Sequence, residues 1–261
     1  MADLSLDNRH VLVTGAGTGI GSAIAAACAQ AGARVSLAGR RRDPLRALQA
    51  ALGPERAHAV ADFDVTDADK VRAGVAAARR AFGPVEILVN NAGEAPSAPF
   101  VKTDLATWNR VIAVNLTGAY LVTREIVPDM IEKRGGHVIN IASTAGLVGY
   151  AYVSAYVAAK HGVIGLTRAL ALEFARAGIT VNAVCPGYTE TPMFEQAVAN
   201  IVAKTKRSAD EARATLAASN PQGRVITPQE VAETVLWLAS PAARSITGQA
   251  IAIAGGEVMV G

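Results

Sequence analysis

The sequence predicts one doubly wound α/β domain, a parallel sheet with helices on both faces. Two observations carry this reading. Apolar strand runs alternate with helical patterns along the whole chain without a linker, and a glycine-rich turn joins the first strand to the first helix. The length agrees, since 261 residues with 51% hydrophobic residues can bury one substantial core.

The first strand, 11–14, is the end of the apolar run His10-Val11-Leu12-Val13. Thr14-Gly15-Ala16-Gly17-Thr18-Gly19-Ile20-Gly21 follows at once, then helix 20–31, alanine-rich, with Ile24 and Cys28 four apart on one face. That order lets a backbone approach a pyrophosphate at a helix N-terminus. The glycines read G-x-x-x-G-x-G, with Gly17 extra, so an ordinary glycine turn stays open on this motif alone. The second strand, 34–38, runs into Gly39-Arg40-Arg41-Arg42. Asp43 reads as the N-cap of helix 44–51, with Pro44 at its first position. Strand 57–63, helix 67–81, strand 86–90, helix 104–132, strand 137–141, helix 152–176, strand 180–184, helix 228–239 and strand 250–254 complete the alternation. The insertion 191–220, rich in helix formers, breaks the rhythm and reads as a substrate lid.

Composition excludes several classes. A formal net charge of +3 is small for a nucleic-acid binder, and the basic runs lack interleaved aromatic residues. Cys28 and Cys185 lie far apart and the four histidines are scattered, so neither a disulfide framework nor a metal site is expected. No apolar run approaches the roughly 20 residues of a membrane span. Residues 1–9 lack the apolar core of a secretory signal, and a cytoplasmic location is expected.

The chemistry centres on Tyr156-Val-Ala-Ala-Lys160. Residues four apart share a helical face, and an ammonium beside a phenol lowers its pKa from about 10 toward working pH, where acid–base catalysis is efficient. Tyr120 and Arg124 have the same spacing with no further motif around them, so the pair alone decides nothing. In dinucleotide enzymes an acidic residue near the end of the second strand meets the ribose 2′-hydroxyl of NAD, whereas arginine there suits a 2′-phosphate. Gly39 stands where the acid is expected and Arg40 and Arg41 follow, which favours NADP(H) over NAD(H).

Taken together, Thr14-Gly15-x-x-x-Gly19-Ile20-Gly21, Asn90-Asn91-Ala92-Gly93, Asn115, Ser143, Tyr156-x-x-x-Lys160 and Pro186-Gly187, in that order, resemble the short-chain dehydrogenase/reductase family from about Leu6 to Gly256. The resemblance implies a Rossmann-like fold and reversible hydride transfer between a nicotinamide and a carbonyl or secondary alcohol. It makes Tyr156 the proton donor or acceptor and Ser143 a hydrogen-bond donor to the same oxygen. Lys160 binds the nicotinamide ribose, and Asn115 holds a water that links Lys160 to solvent. It assigns dinucleotide contacts to Gly15, Thr18, Gly19, Ile20, Gly21, Asp64, Val65, Asn91, Ala92, Gly93, Pro186, Gly187, Thr189 and Thr191. A homotetramer joined through the long helices is implied as well, with Val163, Leu166, Leu170 and Phe174 offered as the joining stripe.

The substrate pocket is expected around Glu94, Ala145, Tyr150, Tyr152, Tyr188, Met193 and Phe194. Met193, Phe194, Val198 and Ile201 would present an apolar lid face to a ring or acyl chain. Lys204, Lys206 and Arg207 at its rim would receive the phosphates of coenzyme A or a carrier protein's phosphopantetheine, unless the lid is simply a solvated helix. Three functions follow: a 3-oxoacyl thioester or polyketide-type ketoreductase, an NAD-dependent alcohol dehydrogenase for a small or cyclic hydroxy compound, and a non-catalytic dinucleotide-binding protein.

Overall fold

A computed structural model describes residues 4–259, so Met1, Ala2 and Asp3 of the N-terminal stretch lie outside the described residues. Seven parallel strands lie in the order β3-β2-β1-β4-β5-β6-β7. They are β1 His10–Thr14, β2 Arg34–Ala38, β3 Ala57–Val60, β4 Ile87–Asn90, β5 Gly136–Ile141, β6 Ile179–Pro186 and β7 Ala250–Ile253. The order reverses between β1 and β4, the switch point at which open α/β sheets bind ligands beyond their strand C-termini.

Helices cover both faces. One core joins α1 (Gly19–Gln30) and α9 (Pro228–Ala239) to the sheet through Ile24, Cys28, Val231 and Val235; α2 (Arg42–Leu52) packs there through Leu45. The opposite core joins α3 (Ala68–Phe82) and α5 (Gly118–Lys133) through Val71, Val75, Val122 and Ile126. Strands buried on both faces need apolar residues throughout, which is why β4 reads Ile-Leu-Val-Asn without alternation.

Four expectations need correction. The second helix begins at Arg42, with Arg41 as its extended N-cap (φ −92°, ψ 122°). Asp43 therefore lies in the first turn, where its charge suits the helix dipole, and Pro44 falls among first-turn positions that need no N–H. Strand 57–63 stops at Val60, because Asp62 takes a left-handed backbone (φ 58°). Helix 104–132 is interrupted: α4 (Leu105–Ile112) passes through a π-turn at Ala113–Thr117 into α5. In α6 (Ser154–Phe174), Val163 is buried and Leu170 and Phe174 pack against the core, so three of the four residues of the proposed joining stripe serve the sheet, while Leu166 is half-buried outside these clusters; Leu172 is exposed on the same helix.

The insertion forms two helices, α7 (Pro192–Lys204) and α8 (Ala209–Ala217). Their facing side chains Phe194, Val198, Ala212 and Leu216 make a small core of their own.

Candidate active site

The glycine turn is held from below by two residues. Thr14 Oγ1 accepts hydrogen bonds from the backbone N–H groups of Asn91 (2.9 Å) and Ala92 (3.0 Å), and Asn91 Nδ2 donates to Thr14 O (2.9 Å). Gly21, in the first turn of α1, lies so close to this turn that a Cβ there would overlap Gly15 O. Only glycine fits, and the N-terminus of α1 stays open toward the cleft above it. Gly21 thus packs the loop rather than lining the cleft.

That cleft has a volume of about 340 Å³. Among the expected dinucleotide residues, Gly15, Thr18, Gly19, Ile20, Arg40, Arg41, Asp64, Val65, Asn91, Ala92, Gly93 and Thr191 all line it. Arg40 and Arg41 are exposed at one end. Asp64 accepts from Thr66 N (3.0 Å) and Oγ1 (2.8 Å), which holds its carboxyl below the usual range. Pro186 ends β6 and Gly187 and Thr189 lie in the turn after it, outside the cleft lining, with Gly187 N donating to Ile253 O (3.0 Å). The Thr191 hydroxyl donates to Thr189 O (3.1 Å) and caps α7 by accepting from Phe194 N (3.2 Å).

The four catalytic candidates converge at the C-terminal ends of β4 and β5. Ser143 caps a 3₁₀ turn at Thr144–Gly146, its Oγ accepting from Ala145 N (3.1 Å). Tyr156 sits in the first turn of α6 and meets the Ser143 hydroxyl. Burial pushes its phenol up to about 12, with the Ser143 bond opposing. Lys160 Nζ lies 5.5 Å from the Tyr156 ring centre and donates to Ile141 O at 2.7 Å. Burial pushes this ammonium down to about 8. In this arrangement the ammonium is directed at a backbone carbonyl, and burial leaves the phenol protonated at neutral pH.

Asn115 occupies the π-turn, a distortion often found at functional sites. Its Nδ2 donates to Glu94 O and Val111 O, both at 2.9 Å. Its Oδ1 and that of Asn90 are buried and have no partner among the described residues. Both residues, with Lys160 and Asn140, line a cavity of about 10 Å³, room for one water. Asn90 had drawn attention only as part of a motif.

The expected substrate residues scatter. Ala145 is buried, and Glu94 forms an ion pair with Arg110 (3.1 Å). Tyr152 is 65% exposed with a left-handed backbone (φ 67°), its carbonyl accepting from Ala98 N. Tyr188 stacks edge-on against Phe194. Phe194 is only 4% exposed, so it and Val198 close the lid's own core rather than facing a substrate; Met193, 44% exposed, lines the dinucleotide cleft. Lys204, Lys206 and Arg207 lie exposed where α7 gives way to α8. Tyr150 reaches Glu257, a residue with no local motif to announce it.

Comparisons with known proteins bear on the fold and the family. A crystal structure of a single-residue variant of actinorhodin polyketide ketoreductase with NADPH superposes with a TM-score of 0.92 at 40% identity, covering 98% of this chain and 99% of the other. Cis-4-hydroxycyclohexanecarboxylate dehydrogenase of Sinomonas cyclohexanicum is 43% identical over 256 residues, 97% of each chain. The 3-oxoacyl-acyl-carrier-protein reductase FabG of Thermotoga maritima is 37% identical over 258 residues, 98% of this chain and 100% of the relative. Residues 9–202 match the family described as short chain dehydrogenase; the chain belongs to that family and is an oxidoreductase.

Proposed function

We propose that the protein is an NADP(H)-dependent ketoreductase that interconverts a ketone and a secondary alcohol, with 3-oxoacyl thioester or polyketide-type ketones as its substrate class. The carrying observation is the convergence of Ser143, Tyr156, Lys160 and Asn115 at the sheet's C-terminal edge, beside a cleft lined by the glycine turn. A bound nicotinamide dinucleotide supplies or takes up the hydride. The chain itself handles the proton. A phenol pushed up to about 12 keeps its proton at neutral pH, so Tyr156 is ready to donate it to the carbonyl oxygen. Ser143 steadies the charge developing on that oxygen. The Lys160 ammonium stabilises the phenolate left behind, and a water between Asn115, Asn90 and Lys160 carries a proton to replace it.

Arg40 and Arg41, with no acid at Gly39, support NADP(H), as does the likeness to a ketoreductase crystallised with NADPH. Lys204, Lys206 and Arg207 suit the phosphate of an acyl carrier. Exposed Leu105, Tyr120 and Leu172 on α4, α5 and α6 support a homotetramer joined through these helices, and the absence of any described helix apolar enough to span a membrane accords with a cytoplasmic location. The 43% identity to an alcohol dehydrogenase of a cyclic hydroxy acid favours oxidation of a cyclic alcohol as the second reading.

A panel of simple ketones, cyclic ketones and 3-oxoacyl thioesters, each with NADPH and NADH, separates the two. The proposal expects turnover of thioesters with NADPH; turnover confined to cyclic ketones with NADH would overturn it.

Reduction also has a predicted alkaline limb. Lys160 is charged below about 8, so kcat should be level at neutral pH and fall as pH rises through that value. A profile flat to pH ~10 would mean the ammonium charge is not used in the rate-limiting step.

A further inference from the structure

Glu257 follows the last strand and the Gly255-Gly256 turn, and its side chain meets Tyr150 in the segment between Ser143 and α6. Tyr150 Oη lies 2.6 Å from Glu257 Oε1 and 2.9 Å from Thr144 Oγ1. A phenol has one proton to give, so the chain runs in one direction: the Thr144 hydroxyl donates to Tyr150, which donates to the carboxylate. Thr144 is the neighbour of Ser143. On the other side, Glu257 Oε2 stands 3.0 Å from where a Cβ on Gly187 would be, in the turn that leaves β6. Tyr188, in the same turn, has its phenol pushed up by burial and then by the Glu257 charge. Among the described residues Oε2 accepts no hydrogen bond. The carboxylate therefore lies between the Ser143 turn and the Gly187–Tyr188 turn, fixed by one oxygen and open at the other.

The fixing matters. A surface glutamate swings freely and is screened by water, but one clamped by a short bond beside two partly buried tyrosines keeps a definite position and a stronger field. Asn220 strengthens the placement, because the end of the lid packs on the turn that carries Glu257; a Cβ on Gly255 would overlap Asn220 Oδ1.

Resting on the ketoreductase reading, we propose that Glu257 is a specificity residue that excludes carbonyl compounds carrying an anionic group near the ketone. It selects neutral ones: esters, thioesters and amides of 3-oxo acids rather than the free acids. A carboxylate two bonds from the reacting carbonyl would meet the Glu257 charge at short range. An ester or thioester there carries no charge for the carboxylate to repel. This agrees with a carrier-linked substrate, whose only charges lie far from the carbonyl, at the phosphates.

Acetoacetate and ethyl acetoacetate test the proposal, since they share the ketone and differ in the charge. Wild type should reduce the ester with a kcat/KM at least ~10-fold above the acid, a modest fraction of what two like charges about 6 Å apart produce at an effective dielectric near 20. Glu257→Gln keeps the shape and an acceptor for Tyr150; it should raise kcat/KM for acetoacetate by ~10-fold and leave the ester within about twofold. A rise of the same size for both ketones, a fall in both, or no gain for the acid would overturn the assignment. A thermal-shift titration with the same two ligands, with and without NADP⁺, gives a readout that needs no turnover. If neither ketone is reduced yet Glu257→Gln still gains affinity for acetoacetate alone, the charge filter stands and the ketoreductase reading fails. If both are reduced with equal efficiency by wild type, the reverse holds.

Discussion

Replacing Tyr156 with phenylalanine is expected to lower kcat at least ~100-fold, because a positioned acid typically contributes that much or more. The change removes one hydroxyl and keeps the ring, so the packing beneath Ser143 and the 5.5 Å approach of Lys160 Nζ to the ring centre survive. Affinity for NADPH should stay within about threefold, since the dinucleotide cleft is lined by other residues. A loss in kcat with unchanged cofactor binding is the signature of a group that acts only in the transition state. Retention of more than about a tenth of kcat would show that the proton comes from elsewhere. His161, which follows Lys160 on α6, is a poor substitute: its ring Nδ1 bonds Val157 O at 3.0 Å on the exposed side of the helix.

The second large effect concerns cofactor choice. Arg40→Ala with Arg41→Ala should raise KM for NADPH by on the order of 30-fold and change KM for NADH by less than about threefold. One charge-assisted hydrogen bond contributes about 1.5–3 kcal/mol, and 1.4 kcal/mol is a factor of ten. The lower end applies here, because both guanidinium groups are exposed and water screens them. Only NADPH carries the 2′-phosphate, so a selective loss identifies that group as their partner. An equal loss for both cofactors, or a wild type that prefers NADH, would refute the assignment.

The parts legible in the sequence are those set by local patterns. The seven strands were found because a sheet covered on both faces needs unbroken apolar runs, and Arg34–Ala38 and Pro228–Ala239 matched to the residue. The glycine turn was legible because close backbone approach leaves few residue choices. What was missed depends on distant partners. The π-turn around Asn115 leaves no mark in a helical periodicity. Phe194 and Val198 form a genuine apolar face, but periodicity cannot say whether that face meets a substrate or, as here, α8. Asp43 and Pro44 carried strong cap signals, yet the helix began two residues earlier than they imply, with Arg41 extended before it. Glu257 is 107 positions from Tyr150, and only the fold brings them together. The raised phenol of Tyr156 has the same origin: Tyr-x-x-x-Lys spacing predicts proximity, while burial decides the pKa.

Hydride transfer to a ketone is the central claim, and isotope transfer tests it most directly. NADPH deuterated at the transferring position of nicotinamide C4 should be consumed in step with a 3-oxoacyl thioester, and mass spectrometry of the product should place one deuterium on the new carbinol carbon. The Tyr156→Phe protein, run in parallel, should yield almost none. A product without deuterium, or NADPH left unconsumed while the protein binds it, would contradict the account.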